Sequence, residues 1–196
     1  MRQLAVLVSC LLLLGSAGTA RAQKYEIHPY AGALFPGKFA GVLEISDSSV
    51  YGLKGGVYLT RSIEAEGHAG YIHKIAFDGT STRKRAYVWE ALASYNFRLP
   101  GLRPKFYGTF GAGGLTTSIS ADSVDFWGAS IPTKDSFLSL TYGGGMKALR
   151  EFGPFGYRVE IRGRTLPDYY GFRLTWPEVT AGITLSWGRT EPDATR

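Results

Sequence analysis

From Val179 to Trp187, apolar and polar residues alternate without a break. Val179, Ala181, Ile183, Leu185 and Trp187 stand against Thr180, Gly182, Thr184 and Ser186. A period of two places the two sets on opposite faces of an extended strand. The same alternation runs through Phe155, Tyr157, Val159 and Ile161, through Tyr87, Trp89, Ala91, Ala93, Tyr95 and Phe97, and through Ile63, Ala65, Gly67, Ala69 and Tyr71. It predicts eight strands, at 24–34, 50–60, 62–73, 86–98, 105–117, 136–149, 155–166 and 177–187. Each reaches the roughly 9–11 residues that a tilted strand needs to cross a bilayer. No segment after residue 22 repeats apolar residues at helical spacing, and the 26 glycines and 14% aromatic content suit β structure.

The connections carry a second regularity. A long connection follows the first strand, then a tight turn at 60–62, a long stretch at 74–85 and a short one at 99–104. Residues 119–135 are again long, 150–154 short and 167–176 longer. Strict alternation gathers every long connection at one end of an up-and-down barrel, with short turns at the other. That layout belongs to barrels of the outer membrane. The predicted fold class is therefore all-β, an eight-stranded antiparallel up-and-down transmembrane β-barrel.

The first residues read as an export signal. Arg2 is a positive start, Leu4 to Leu14 is a short apolar run, and Ala20-Arg21-Ala22 fits a cleavage pattern. The predicted division is a signal peptide at 1–22, a barrel at 23–188 and a polar tail at 189–196. Cys10, the only cysteine, lies inside the apolar run; four leucines follow it, where a lipid-anchored chain would turn polar. The mature chain then has no disulfide. Losing Arg2 and Arg21 takes two from the formal charge of +6, leaving +4. The bases are scattered, and no basic stripe suits nucleic acid.

The polar faces collect Glu26, His28, Lys54, Glu64, Glu66, His68, Glu90, Lys105, Lys147, Arg158, Glu160, Arg162 and Arg164. An eight-stranded barrel has an interior only just wide enough for its own side chains. Tyr87, Trp89, Tyr95, Phe97, Phe106, Phe110, Tyr142, Tyr157 and Trp187 would overfill it, whereas facing lipid they need no room. The small residues Ala65, Gly67, Ala69, Ala91, Ala93, Ala112 and Gly144 would then sit in mid-membrane. The expectation is a lumen plugged by charged pairs among Glu26, Lys54, Glu64, Glu66, His68, Glu90, Arg158, Glu160, Arg162 and Arg164, since an unpaired ion there is prohibitively costly.

With eight strands, one-sided long loops and an inward charge ladder, the chain resembles the OmpA-like family of small outer-membrane β-barrels. Tyr25-Glu26-Ile27-His28-Pro29-Tyr30-Ala31-Gly32 resembles that family's first strand, and 179–187 its closing strand. The resemblance implies outer-membrane lipid as surroundings and recognition of the closing aromatic, Trp187, by the barrel-assembly machinery. The polar tail after Gly188 departs from the family pattern, in which that aromatic is usually last.

No motif points to catalysis, a cofactor or a metal. His68 shares a face with Glu64 and Glu66, but no serine stands at fixed reach, and alternate strand positions supply only one or two metal ligands. Gly143-Gly144-Gly145 and Gly111-Ala112-Gly113-Gly114 lie inside strands and are not phosphate loops; glycine there permits curvature and close approach. The contact candidates for ligands outside the cell or in its envelope lie in the long loops: Phe126, Trp127, Tyr169, Tyr170 and Phe172. The sequence thus reads as a non-enzymatic barrel with a structural or surface-interaction role. A soluble lipocalin-like barrel holding an apolar ligand, a lipid A-modifying barrel enzyme and a narrow pore are the alternatives.

Overall fold

The computed structural model describes residues 24–35, 38–39, 43–44, 46–76, 83–119, 124–126, 129–131 and 134–188. The expected signal peptide, Cys10, Trp127 and the polar tail lie outside the described residues. Eight long strands form the molecule: β1 (Lys24–Leu34), β2 (Ser48–Tyr58), β3 (Ile63–Ala76), β4 (Arg83–Arg98), β5 (Lys105–Ile119), β6 (Lys134–Phe152), β7 (Phe155–Tyr169) and β8 (Phe172–Gly188). Each pairs antiparallel with its sequence neighbours, and β1 closes on β8 with Lys24 opposite Gly188 and Tyr25 opposite Trp187. The sheet is a closed barrel with no free edge. Two short ladders, Lys38–Phe39 with Leu43–Glu44 and Val124–Phe126 with Ala129–Ile131, belong to the long connections.

The strands outrun their expected limits, mostly at the long-connection end. Strand β6 has 19 residues and β8 has 17. The largest difference concerns 167–176, expected as a long loop. Strands β7 and β8 instead continue to a two-residue turn at Tyr170 (φ 53°) and Gly171 (φ 82°), with Tyr169 opposite Phe172. Left-handed backbone at both central positions is the I′ geometry, whose twist matches that of flanking strands. Asp168 accepts a hydrogen bond from the Gly171 N–H at 2.9 Å and helps close it. Pro167 and Pro177 both lie within the hairpin's strands, with their rings on the exposed face. Among the short turns, Gly153 (φ 66°) followed by Pro154 suits a II′ turn.

Alternation sorts the side chains as the period demands. Tyr51, Tyr71 and Tyr87 stand side by side across β2, β3 and β4 on the outer surface. Near the short-turn end a second outer ring row holds Tyr95, Phe97 and Phe106, with Tyr25 stacked on Trp187 at 6.0 Å. Between the rows lie Ala65, Gly67, Ala69, Ala91, Ala93 and Ala112, also facing outward. Tyr87 and Phe97 are ten residues apart on β4. At about 3.4 Å per residue and a tilt near 40°, that spans roughly 25 Å along the barrel axis.

The interior has two zones. Towards the short turns it is polar. Towards the long connections it is apolar: Leu34, Val50, Ile72, Ile75, Ala86, Val88, Leu115, Phe137, Leu166, Tyr169, Leu174 and Trp176 are buried together. Phe137 packs on Tyr169 at 4.6 Å, and Tyr170 meets both rings. The polar lumen foreseen from alternation is therefore capped by hydrocarbon, at and beyond the level of Tyr51, Tyr71 and Tyr87.

Candidate functional site: the charged lumen and its apolar cap

Inward positions on seven strands supply the lumen's ions. Strand β7 contributes most, with Arg158, Glu160, Arg162 and Arg164 at every second residue. Glycines opposite them make room. A Cβ on Gly143, which is registered with Arg162, would strike the Ile161 carbonyl; one on Gly113, opposite Glu90, would strike the Trp89 carbonyl. Hydrogen at these positions lets neighbouring backbones close up beneath long side chains.

The ions form a lattice of three stacked levels. Nearest the short turns, Lys147 Nζ reaches Glu64 Oε2 at 2.5 Å and Glu26 Oε2 at 3.1 Å. Lys24 meets the other Glu26 oxygen at 3.3 Å. Tyr58 presents its ring to Lys24 and Lys147, with the ammonium groups 5.2 and 5.0 Å from the centroid. One level further in, Glu160 takes Lys54 at 2.6 Å and Arg158 at 3.0 Å, and accepts the Tyr107 hydroxyl at 2.7 Å. Arg158 also pairs with Glu66 at 3.0 Å, and Ser94 donates to Glu66 at 2.6 Å. The third level joins Arg162 to Glu178, and Arg164 to Glu178 at 2.6 Å and to Glu90 at 3.0 Å. Glu90 further accepts Ser139 at 2.9 Å and Thr141 at 2.5 Å. The apolar cap begins immediately beyond.

All ten residues expected in the charge network are buried in this lattice. Lys147 joins them, and Lys105 lies half-buried at the mouth, its ammonium 5.9 Å from the Tyr58 ring. Two kinds of member escaped the sequence reading. Glu178 bridges two arginines; its phase with Thr180 was the available signal, beside Pro177 and Trp176. Tyr30, Tyr58 and Tyr107 point inward although most tyrosines face out. Their signal was register with the charged set: Tyr30 is in phase with Glu26 and His28.

His68 is held at both nitrogens. Its Nδ1 lies 2.8 Å from Glu90 Oε2 and its Nε2 lies 2.5 Å from the Tyr30 hydroxyl, which accepts from Arg162 at 3.1 Å. One set of directions satisfies the chain: Arg162 donates to Tyr30, Tyr30 to Nε2, and Nδ1–H to Glu90. The Tyr–His–Glu order resembles a relay, and its three members are buried between the charged layers and the cap. Among the described residues no group of His, Cys, Asp and Glu is arranged to hold a metal.

The loop candidates divide. Phe172 is exposed at the tip of the β7–β8 hairpin, and Tyr170 is half-buried. Tyr169, expected as a surface contact, is instead completely buried against Phe137 and Trp176, because the hairpin's register turns it inward. Phe126 lies in the short ladder of the third long connection. An apolar groove of about 370 Å³ lies on the outer face, where Gly144 leaves a gap among Phe97, Phe106, Met146 and Ile161.

The barrel's shape is shared with solved outer-membrane proteins. Over 83% of this chain and 96% of theirs, it superposes on Neisserial surface protein A with a TM-score of 0.59 at 14% identity. The attachment invasion locus protein Ail of Yersinia pestis, solved with the heparin analogue sucrose octasulfate, aligns over 85% of this chain and 99% of its own, with a TM-score of 0.55 and 16% identity. The N-terminal β-barrel domain of Pseudomonas aeruginosa OprF covers 84% and 97%, with a TM-score of 0.51 and 19% identity. The fold is that of a small outer-membrane barrel. No protein-family model matches the sequence, and no curated protein matches it.

Proposed function

We propose that the protein is a non-enzymatic barrel of the bacterial outer membrane, exported by residues 1–22 and set with its long connections outward. The observation that carries this reading is the inversion of the barrel's two surfaces. Charged residues fill the lumen, while Trp89, Phe110, Ile161 and Ile183 each expose more than half of their surface on the outside. In water such a continuous apolar belt would be an aggregation surface. In a bilayer it meets hydrocarbon, and the roughly 25 Å between its ring rows matches the apolar band of membrane barrels. A soluble barrel with an apolar ligand inside would need the reverse arrangement.

A lumen crossed at three levels by ion pairs, then capped by packed rings, supports a plugged barrel in place of a wide channel. Its role then falls to the outer surface and the exposed connections, where Phe172, Phe126 and Trp127 are contact candidates for ligands outside the cell. Trp187, at the seam with β1, suits recognition by the barrel-assembly machinery.

The test is gel mobility of protein extracted in detergent from the envelope of an expressing bacterium, with and without boiling. A heat-dependent shift, with aggregation once detergent is removed, is expected. A water-soluble monomer lacking any shift would defeat the membrane reading.

A further inference from the structure

The two ends of the barrel differ in charge. The end that bears the long connections and the β7–β8 hairpin tip, residues 35–47, 74–85, 119–135 and 167–175, carries seven basic and seven acidic residues. The short turns, residues 59–62, 98–105 and 150–154, carry five basic residues and one acid: Arg61, Arg98, Arg103, Lys105 and Arg150 against Glu151. The four arginines are exposed. Arg98 and Lys105 are direct cross-strand neighbours, so two of the rim's cations stand side by side at one turn. They follow immediately on the stacked rings of Phe97 and Phe106.

The same turns expose large apolar side chains. Leu59, Leu99 and Leu102 each show about half of their surface, and Phe152 shows 78%. A rim standing free in water would have no use for them. At a membrane boundary the mixture is suited: leucine and phenylalanine enter the acyl edge while arginine reaches the headgroups. A guanidinium offers a planar fork of donors matched to phosphate.

We infer that this rim seats anionic phospholipid, its arginines binding the phosphate-bearing headgroups of the leaflet that meets the short turns. The inference rests on the membrane reading above. Interleaved apolar residues favour a lipid surface over a soluble anionic polymer, which would select for cations alone. Near an anionic surface each basic residue contributes roughly fivefold to binding, so three arginines together are worth about a hundredfold.

The experiment uses protein extracted from the envelope and exchanged into zwitterionic detergent with equal traces of phosphatidylglycerol and phosphatidylcholine. Bound lipid is read by native mass spectrometry. Preferential retention of phosphatidylglycerol is expected, falling by about a hundredfold in R61Q/R98Q/R103Q and unchanged in R85Q/R173Q at the opposite end. A heat-shifted gel band certifies the barrel in each variant, and R103Q alone, in an exposed turn, serves if the triple variant does not fold. Equal retention of the two lipids, or full retention by the triple variant, overturns the inference. So does equal loss in R85Q/R173Q, or inorganic phosphate binding the lipid-free protein as tightly. Absence of any heat-shifted band in the unsubstituted protein would instead defeat the membrane reading itself.

Discussion

The lower lumen and its cap solve the same packing problem by different physics. Below, space is filled by glutamates, lysines and arginines whose every contact is directional. Above, it is filled by Leu34, Ile72, Leu115, Phe137, Tyr169 and Trp176, which need only the right volume. Hydrocarbon tolerates small changes of shape, with a cost that follows the cavity left behind. A buried ion tolerates loss of its partner badly, because the remaining charge has neither water nor counter-ion. The two zones therefore differ less in what they add to stability than in how each fails.

Breaking the lattice should have the largest effect. Glu90→Ala strips a shared acceptor from Arg164, His68, Ser139 and Thr141. A loss of about 3–5 kcal/mol is expected from uncompensated buried charge. Urea unfolding in lipid vesicles, followed by the loss of the compact gel band, measures it. Ile72→Val in the cap removes one methylene and should cost about 0.5–1.5 kcal/mol in the same assay. If the two substitutions cost the same, the contrast between the zones is gone. Phe172→Ser, at the exposed hairpin tip, should change stability by no more than about 0.5 kcal/mol. A larger loss would mean that the tip belongs to the cap, and the boundary drawn at Tyr169 would move outward.

Strand number, pairing order and facing could be read from the sequence because the side-chain period of two is unambiguous wherever one face is polar. Glu64-Ala65-Glu66-Gly67-His68 leaves no doubt about its inner face. The cap was hidden for the same reason. Across Val50-Tyr51, Tyr71-Ile72 and Val88-Trp89 both faces are apolar, so alternation fades just where the interior changes character. That fading was itself a signal: a strand apolar on both sides is covered on both sides. The β7–β8 hairpin was missed because two prolines and a glycine read as loop chemistry. Proline is tolerated where its missing N–H is not needed by the ladder, and a tyrosine at positive φ is uncommon enough to pass unnoticed. Glu178 lay inside the expected strand 177–187, but the alternation was followed only from Val179 onward, so its inward phase beside Pro177 was passed over.

The lattice also bears on how the molecule can come together. Its partners are remote in the chain: Lys54 and Glu160 are separated by 106 positions, Lys147 and Glu26 by 121, and Arg158 and Glu66 by 92. The first four strands bring four of the six buried glutamates but only Lys54 of the five fully buried lysines and arginines; the last four strands bring the rest. A half-built sheet would thus expose charges of one dominant sign to hydrocarbon. Pairings this distant form late and slowly, and an ion cannot wait for its partner inside the acyl layer. On the membrane reading, the lumen reaches neutrality within the bilayer only when the first strand has met the last and the circle is complete.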